Sequence, residues 1–228
     1  MTNATRTASP NQRALKSNAR QYVESFGIAI VLALVMRASF VQAYMIPSSS
    51  MEPTLLIGDH IFVNKIVYGL RIPDTILGLR IPGLPLGKYL CHFERVHRGD
   101  IVVFVAPYDR GTDLIKRVIG VPGDRVEVRN GAVWLNGAPM ADAHAHFMYP
   151  TGDRFANSPR DNLPEVIVPP GKFFMMGDNR DNSYDSRFWG FANEADIEGR
   201  AMVIYLSLGR EGSNQVPIRW DRFGKVLD

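Results

Sequence analysis

The sequence predicts a mainly β domain carried behind a single N-terminal membrane-spanning helix. Three observations lead there. Tyr22 to Ile46 is mostly apolar, with no charge between Phe26 and Met36. Beyond Pro47 the apolar residues come in short β-branched runs separated by turn residues, the pattern of strands. Helical periodicity after that point is thin, confined to a short piece around Asn193 to Glu198.

A spanning helix needs about 20 mainly apolar residues. The uncharged stretch alone is too short, so the predicted span continues past Arg37 through Ala38, Ser39, Phe40 and Val41. Arg37 lies near the far end, where a long side chain can snorkel to the headgroups. Pro47 cannot continue a helix and is read as ending it. Residues 1–20 form a basic tail, 21–45 the anchor and 46–228 the folded domain. The tail carries Arg6, Arg13, Lys16 and Arg20 and no acid, which places the N-terminus in the cytoplasm by the positive-inside rule and the domain outside. A cleaved signal peptide, with Val41-Gln42-Ala43 as the cut, and a buried core helix are the competing readings. Length and the position of Arg37 favour the anchor.

In the domain, Ile61 to Val67, Ile101 to Val105, Asp124 to Val128, Ala132 to Leu135, Phe173 to Met176 and Ala201 to Leu206 read as strands. Asn130-Gly131 sits between two alternating runs and predicts a tight hairpin; Asn136-Gly137 supplies a second turn. Residues 69–97 contain Gly-Leu-Arg-Ile-Pro twice and read as an extended, apolar, proline-punctuated insertion. Residues 141–170, with five prolines, read as a second loop-like insertion.

Charge and cysteine exclude several classes. Four of the 26 cations lie in the tail, so the domain is close to neutral against 23 acids and lacks the basic surface that nucleic acid requires. The single cysteine, Cys91, forms no internal disulfide and reads as a small buried residue. His144 and His146 share a loop without a third ligand, so no metal is predicted.

Two segments carry chemistry. Pro47-Ser48-Ser49-Ser50-Met51-Glu52-Pro53 places three serines between prolines that stiffen them. A serine hydroxyl is a weak nucleophile unless a base removes its proton, and none of His60, His92, His97, His144 and His146 lies in a triad context. Lys116 lies in the apolar run Asp113 to Asp124, where burial could lower its pKa enough to serve as base. An edge-strand lysine is the alternative reading of the pattern.

Taken in order, Ser48-x-Ser50-Met51-x-Pro53-Thr54-Leu55, Gly58-Asp59, Arg98-Gly99-Asp100-Ile101-Val102-Val103-Phe104, Lys116-Arg117 with Gly120-x-Pro122-Gly123-Asp124, and Gly177-Asp178-Asn179-Arg180-Asp181-Asn182-Ser183-x-Asp185-Ser186-Arg187 resemble the motifs of bacterial type I signal peptidases. The resemblance implies a β catalytic domain that removes signal peptides from exported preproteins without a cofactor. It implies Ser50 as nucleophile, Lys116 as general base, Ser48 as an oxyanion donor, Ser183 as the residue that orients the lysine, and Asp185 with Arg187 as a supporting ion pair. Ile46, Pro47, Met51, Leu55, Asp113 and Ile115 are implied in binding an extended substrate with small residues at the cut. The implied setting is the bacterial inner membrane, with the domain on the periplasmic side, close to the translocation machinery. Ser49 stands where many members have glycine, which leaves Ser48 and Ser49 as rival nucleophiles. A self-cleaving regulator with a serine–lysine dyad, a peptidase dedicated to one secreted substrate such as a pilin, and a non-catalytic anchored peptide-binding domain are the alternatives. The first of these carries a DNA-binding N-terminal domain where this chain has an apolar segment.

Overall fold

The computed structural model describes residues 22–29, 40–71, 89–149, 158–209 and 217–227. The chain divides into two compact units, residues 1–40 and 41–228. In the first, residues 22–29 are helical and exposed. The middle of the predicted anchor, residues 30–39, lies outside the described residues, and among the described residues no helix is long and apolar enough to cross a membrane.

The far end of the predicted anchor is corrected. Val41–Met45 is a strand, β1, paired antiparallel with β2 (Asp59–Asn64) from Val41↔Asn64 to Met45↔His60. A hydropathy reading cannot distinguish this from a helix end, because the preference comes from the hydrogen-bonding edge that β2 offers. The domain therefore begins at 41, and Pro47 ends a strand rather than a helix.

The second unit is built on a seven-stranded antiparallel sheet. Its order is β1, β2, β13 (Ile197–Ser207), β5 (Ile101–Ala106), β6 (Asp109–Gly120), β11 (Lys172–Met176) and β12 (Ala192–Asn193). A smaller sheet is ordered β10 (Leu163–Ile167), β7 (Arg125–Arg129), β8 (Ala132–Leu135) and β9 (Ala138–Pro139). The ribbon of β3 (Gly69–Arg71) and β4 (Tyr89–His92) completes the set. Both predicted turns form: Asn130 and Gly131 have φ of 50° and 80°, Asn136 and Gly137 54° and 84°. Positive φ at both central residues matches the right-handed twist of the flanking strands.

Apolar alternation sorts the large sheet into two faces. Ile101 and Val103 of β5 pack with Ile46, Met51, Leu55 and Ile115 on one face. Val102 and Phe104 pack with Val118, Met175 and Ile197 on the other. Every residue of β5 is buried, as suits a central strand covered on both sides. The smaller sheet joins through Ile119, Phe174 and Met176 against Val126 and Val133. Gly120 permits this approach, since a Cβ there would stand 2.8 Å from Val126 and 3.2 Å from Phe174.

Other boundaries move for local reasons. β2 stops at Asn64 because its side-chain oxygen accepts the N–H groups of Ile66 and Val67 at 3.0 and 3.1 Å, turning the chain. The helix read at Asn193–Glu198 is a single 3-10 turn, Glu194–Asp196. The ends of the 69–97 insertion are the paired strands β3 and β4, and the 141–170 insertion contains β10, so neither is a plain loop. Cys91 is exposed on β4 rather than buried.

Candidate active site

The turn between β1 and β2 carries the three serines. It is pinned at its base by hydrogen bonds from Ile46 N–H to Asp59 O (2.8 Å) and Gly58 N–H to Ile46 O (2.9 Å). Met51 and Leu55 anchor it from within, both wholly buried, each contributing about 1.5–3 kcal/mol by removal from water. Thr54 is held twice, its hydroxyl donating to Asp178 Oδ2 (2.6 Å) and its carbonyl accepting from Arg222 Nη2 (2.8 Å).

Ser50 ends up buried beside Lys116 of β6. Lys116 Nζ donates to Ser50 Oγ at 2.7 Å and to the Ile115 carbonyl at 2.9 Å. Ser48 Oγ lies 3.4 Å from Ser50 Oγ. Ser49 is turned elsewhere, its hydroxyl accepting from Asn182 Nδ2 at 2.7 Å. Of the three serines, Ser50 alone meets the lysine amine. Burial lowers the Lys116 pKa to about 8, and the carboxylates of Asp185 and Asp178 resist that fall.

The segment 177–187 closes over the pair. Asn179 N–H donates to Ser50 O at 3.1 Å, and Asn179 Nδ2 to Ser49 O at 3.2 Å. Gly177 fits only as glycine: a Cβ would stand 2.3 Å from Ser50 O and 2.4 Å from Ser183 Oγ. Arg187 Nε and Nη2 each donate to Asp185 at 2.8 Å, a fully buried bidentate pair. Burial works to raise the Asp185 carboxyl, yet the Arg187 charge, its hydrogen bonds and the Gly177 N–H hold it below the usual carboxylate range. Ser183 is buried against Gly177 with its hydroxyl near the Asp185 carboxylate, which it helps hold low, and it makes no hydrogen bond to Lys116 of the kind the motif implied.

The signal peptidase, peptidase S26 family model matches residues 19–206. This chain belongs to that family. A signal peptidase I of Leptolyngbya laminosa is 36% identical over 199 residues, covering 83% of this chain and 81% of that one. One from Aquifex aeolicus is 34% identical over 239 residues, covering 82% and 84%. One from Pseudomonas aeruginosa is 32% identical over 219 residues, covering 82% and 72%. In a solved signal peptidase I from Enterococcus faecalis, 97% of that chain aligns with 47% of this one, at 30% identity and a TM-score of 0.38.

The structure brings together most of the residues singled out in this signal peptidase chain. Ile46, Met51, Leu55 and Ile115 form one apolar cluster next to Ser50. Pro47 and Asp113 are exposed, at the mouth of the turn and on β6 respectively. Arg117 and Asp178 carry a role that the sequence pattern does not reveal. They form a second buried bidentate pair, Nε to Oδ1 and Nη2 to Oδ2 both at 2.9 Å, joining β6 to the closing segment. The roles of Thr54, Asn179, Asn182 and Arg222 are equally invisible in the sequence. The available signal was a charged residue next to Lys116 in an otherwise apolar run, which only a buried partner can stabilise.

Proposed function

We propose that this chain is a serine endopeptidase that removes N-terminal signal peptides from exported preproteins, with Ser50 as nucleophile and Lys116 as general base. The 2.7 Å contact between Lys116 Nζ and Ser50 Oγ in a buried site carries this reading. A lysine with an ordinary pKa near 10.4 is neutral in only about one molecule in several thousand at pH 7. With the pKa near 8, about a tenth is neutral, enough to act as a base.

Neutral Lys116 takes the Ser50 proton as Oγ attacks the scissile carbonyl. The Ser48 hydroxyl, with the Ser50 N–H, stabilises the oxyanion. Lys116 then delivers the proton to the leaving amine, releasing the mature protein and leaving an acyl-enzyme on Ser50. Water, deprotonated by the same amine, completes hydrolysis. Ser183, with the Asp185–Arg187 pair, supports the lysine side of the site. The substrate lies extended beside Tyr44 to Pro47 and Asp113 to Ile115, with its small side chains against Ile46, Met51, Leu55 and Ile115. No cofactor is required.

The apolar segment before residue 41, behind its basic tail, anchors the chain in the bacterial inner membrane with the domain on the periplasmic side. Enzyme and preprotein then share one lipid layer near the translocation machinery, which raises their effective concentration. Incubating the full chain in detergent with a preprotein and sequencing the new N-terminus tests the activity. A product cut after small residues by the unaltered chain, and none from Ser50→Ala, is the expected result. Equal cleavage by both would refute the reading.

A further inference from the structure

Residues 142–149 belong to no motif, yet they run along the outer side of the 177–187 segment and bond to it repeatedly. His146 N–H donates to Asp178 O at 2.7 Å and Arg180 N–H to His146 O at 2.8 Å, a parallel bridge between His146 and Asn179. The Asp181 carboxylate accepts the N–H groups of Met148 (2.7 Å) and Tyr149 (3.0 Å). Arg180 is buried and paired with Asp142, while its Nε donates to Gly177 O at 3.2 Å. Asp142 thus reaches, through one guanidinium, the glycine that packs against Ser50 O and Ser183.

A half-open pocket of about 200 Å³ lies beside this segment, lined by Asp142, Phe147 and Arg180 together with Asn130 and Val133 of the β7–β8 hairpin. The backbone and carboxylate bonds above tie 142–149 to 177–187 directly.

We propose that residues 142–149 form a positioning strap that presses the 177–187 segment onto Ser50 and Lys116, with Asp142 and Asp181 as its anchors. This rests on the reading of Ser50 and Lys116 as the catalytic pair. Releasing the strap lets 177–187 lift. Ser50 then loses the Asn179 N–H on its carbonyl, and Lys116 loses part of its cover. The charged groups near Lys116 are Asp185 and Asp178, held by Arg187 and Arg117 through bonds that do not involve the strap. What the strap controls is burial, and less burial raises the lysine pKa.

The test compares Asp142→Ala, Asp181→Ala and the double variant Asp142→Ala with Arg180→Met, using a peptide substrate spanning a signal-peptide cleavage site. The double variant removes both charges of the buried pair at once, so it stays folded if the single variant does not. Readouts are kcat, KM, the lower limb of the pH dependence of kcat/KM, and the melting temperature. In folded protein kcat should fall about tenfold to a hundredfold, as for a misplacement near 1 Å, with KM little changed. The lower limb should move up from about 8 towards 10.4. Asp142→Glu, which keeps the charge, should recover part of both, and Glu165→Gln on β10 should alter neither. Folded variants with unchanged kcat and an unmoved limb would overturn the strap. Failure of the catalytic assignment would show separately, as activity retained by Lys116→Arg.

Discussion

Replacing Lys116 by methionine probes the base through stability as well as activity. The folded chain sheds the lysine proton near pH 8, the unfolded chain near 10.4. Between these values the unfolded state binds more protons, so stability rises with pH. Below pH 8 the full cost of holding the charged amine in the site is present, about 3 kcal/mol for this shift. Methionine removes that cost but also the hydrogen bonds to Ser50 Oγ and Ile115 O, about 1 kcal/mol each. At pH 7 Lys116→Met should therefore be inactive yet more stable by about 1 kcal/mol, a few degrees in melting temperature for a domain of this size. At pH 10.5 the cost has gone and only the lost bonds remain, so the variant should be the less stable by about 2 kcal/mol. Thermal melts of both proteins across pH 7 to 10.5 should cross. The lower limb of the pH–rate profile of the unaltered chain should lie near 8, and Lys116→Arg should be inactive because guanidinium does not deprotonate. Parallel melting curves, or a limb near 6.5 that vanishes with one histidine, would refute the reasoning.

The three serines should separate in a cleavage assay. Ser50→Ala abolishes turnover, Ser48→Ala loses about 100- to 1,000-fold through the missing oxyanion donor, and Ser49→Ala, losing only the Asn182 contact, keeps most activity. Gly177→Ala should fold with reduced stability and lose most activity, because its methyl must displace Ser50 O or Ser183; unchanged kcat would contradict the close packing. Truncation separates the two units: a chain beginning at Val41 should stay folded and cleave peptides, whereas removing β1 as well, by starting at Ile46, bares the edge of β2 and should cause aggregation. Protease protection in sealed vesicles tests orientation, and digestion of the domain only from the cytoplasmic face would reverse the proposed topology.

Much of this chain is legible in one dimension. The strands at Ile101, Ala132 and Phe173, and both Asn-Gly turns, follow from β-branched runs and from residues that tolerate positive φ, preferences local to a few neighbours. The pairing of Ser50 with Lys116 is legible only through motif order, because they stand 66 positions apart and no periodicity links them. What local pattern could not supply depended on who sits opposite. Val41–Met45 continues the segment read from hydropathy as a span, and only the edge of β2 makes it a strand. Ser48, Ser49 and Ser50 are identical side chains, told apart by Asn182 and Lys116. The same holds for Arg117, Asp178, Asp142 and Arg180, which read as ordinary charges until folding buries them in pairs. A buried charge is stable only with its partner, and partners distant in sequence are chosen by the tertiary structure.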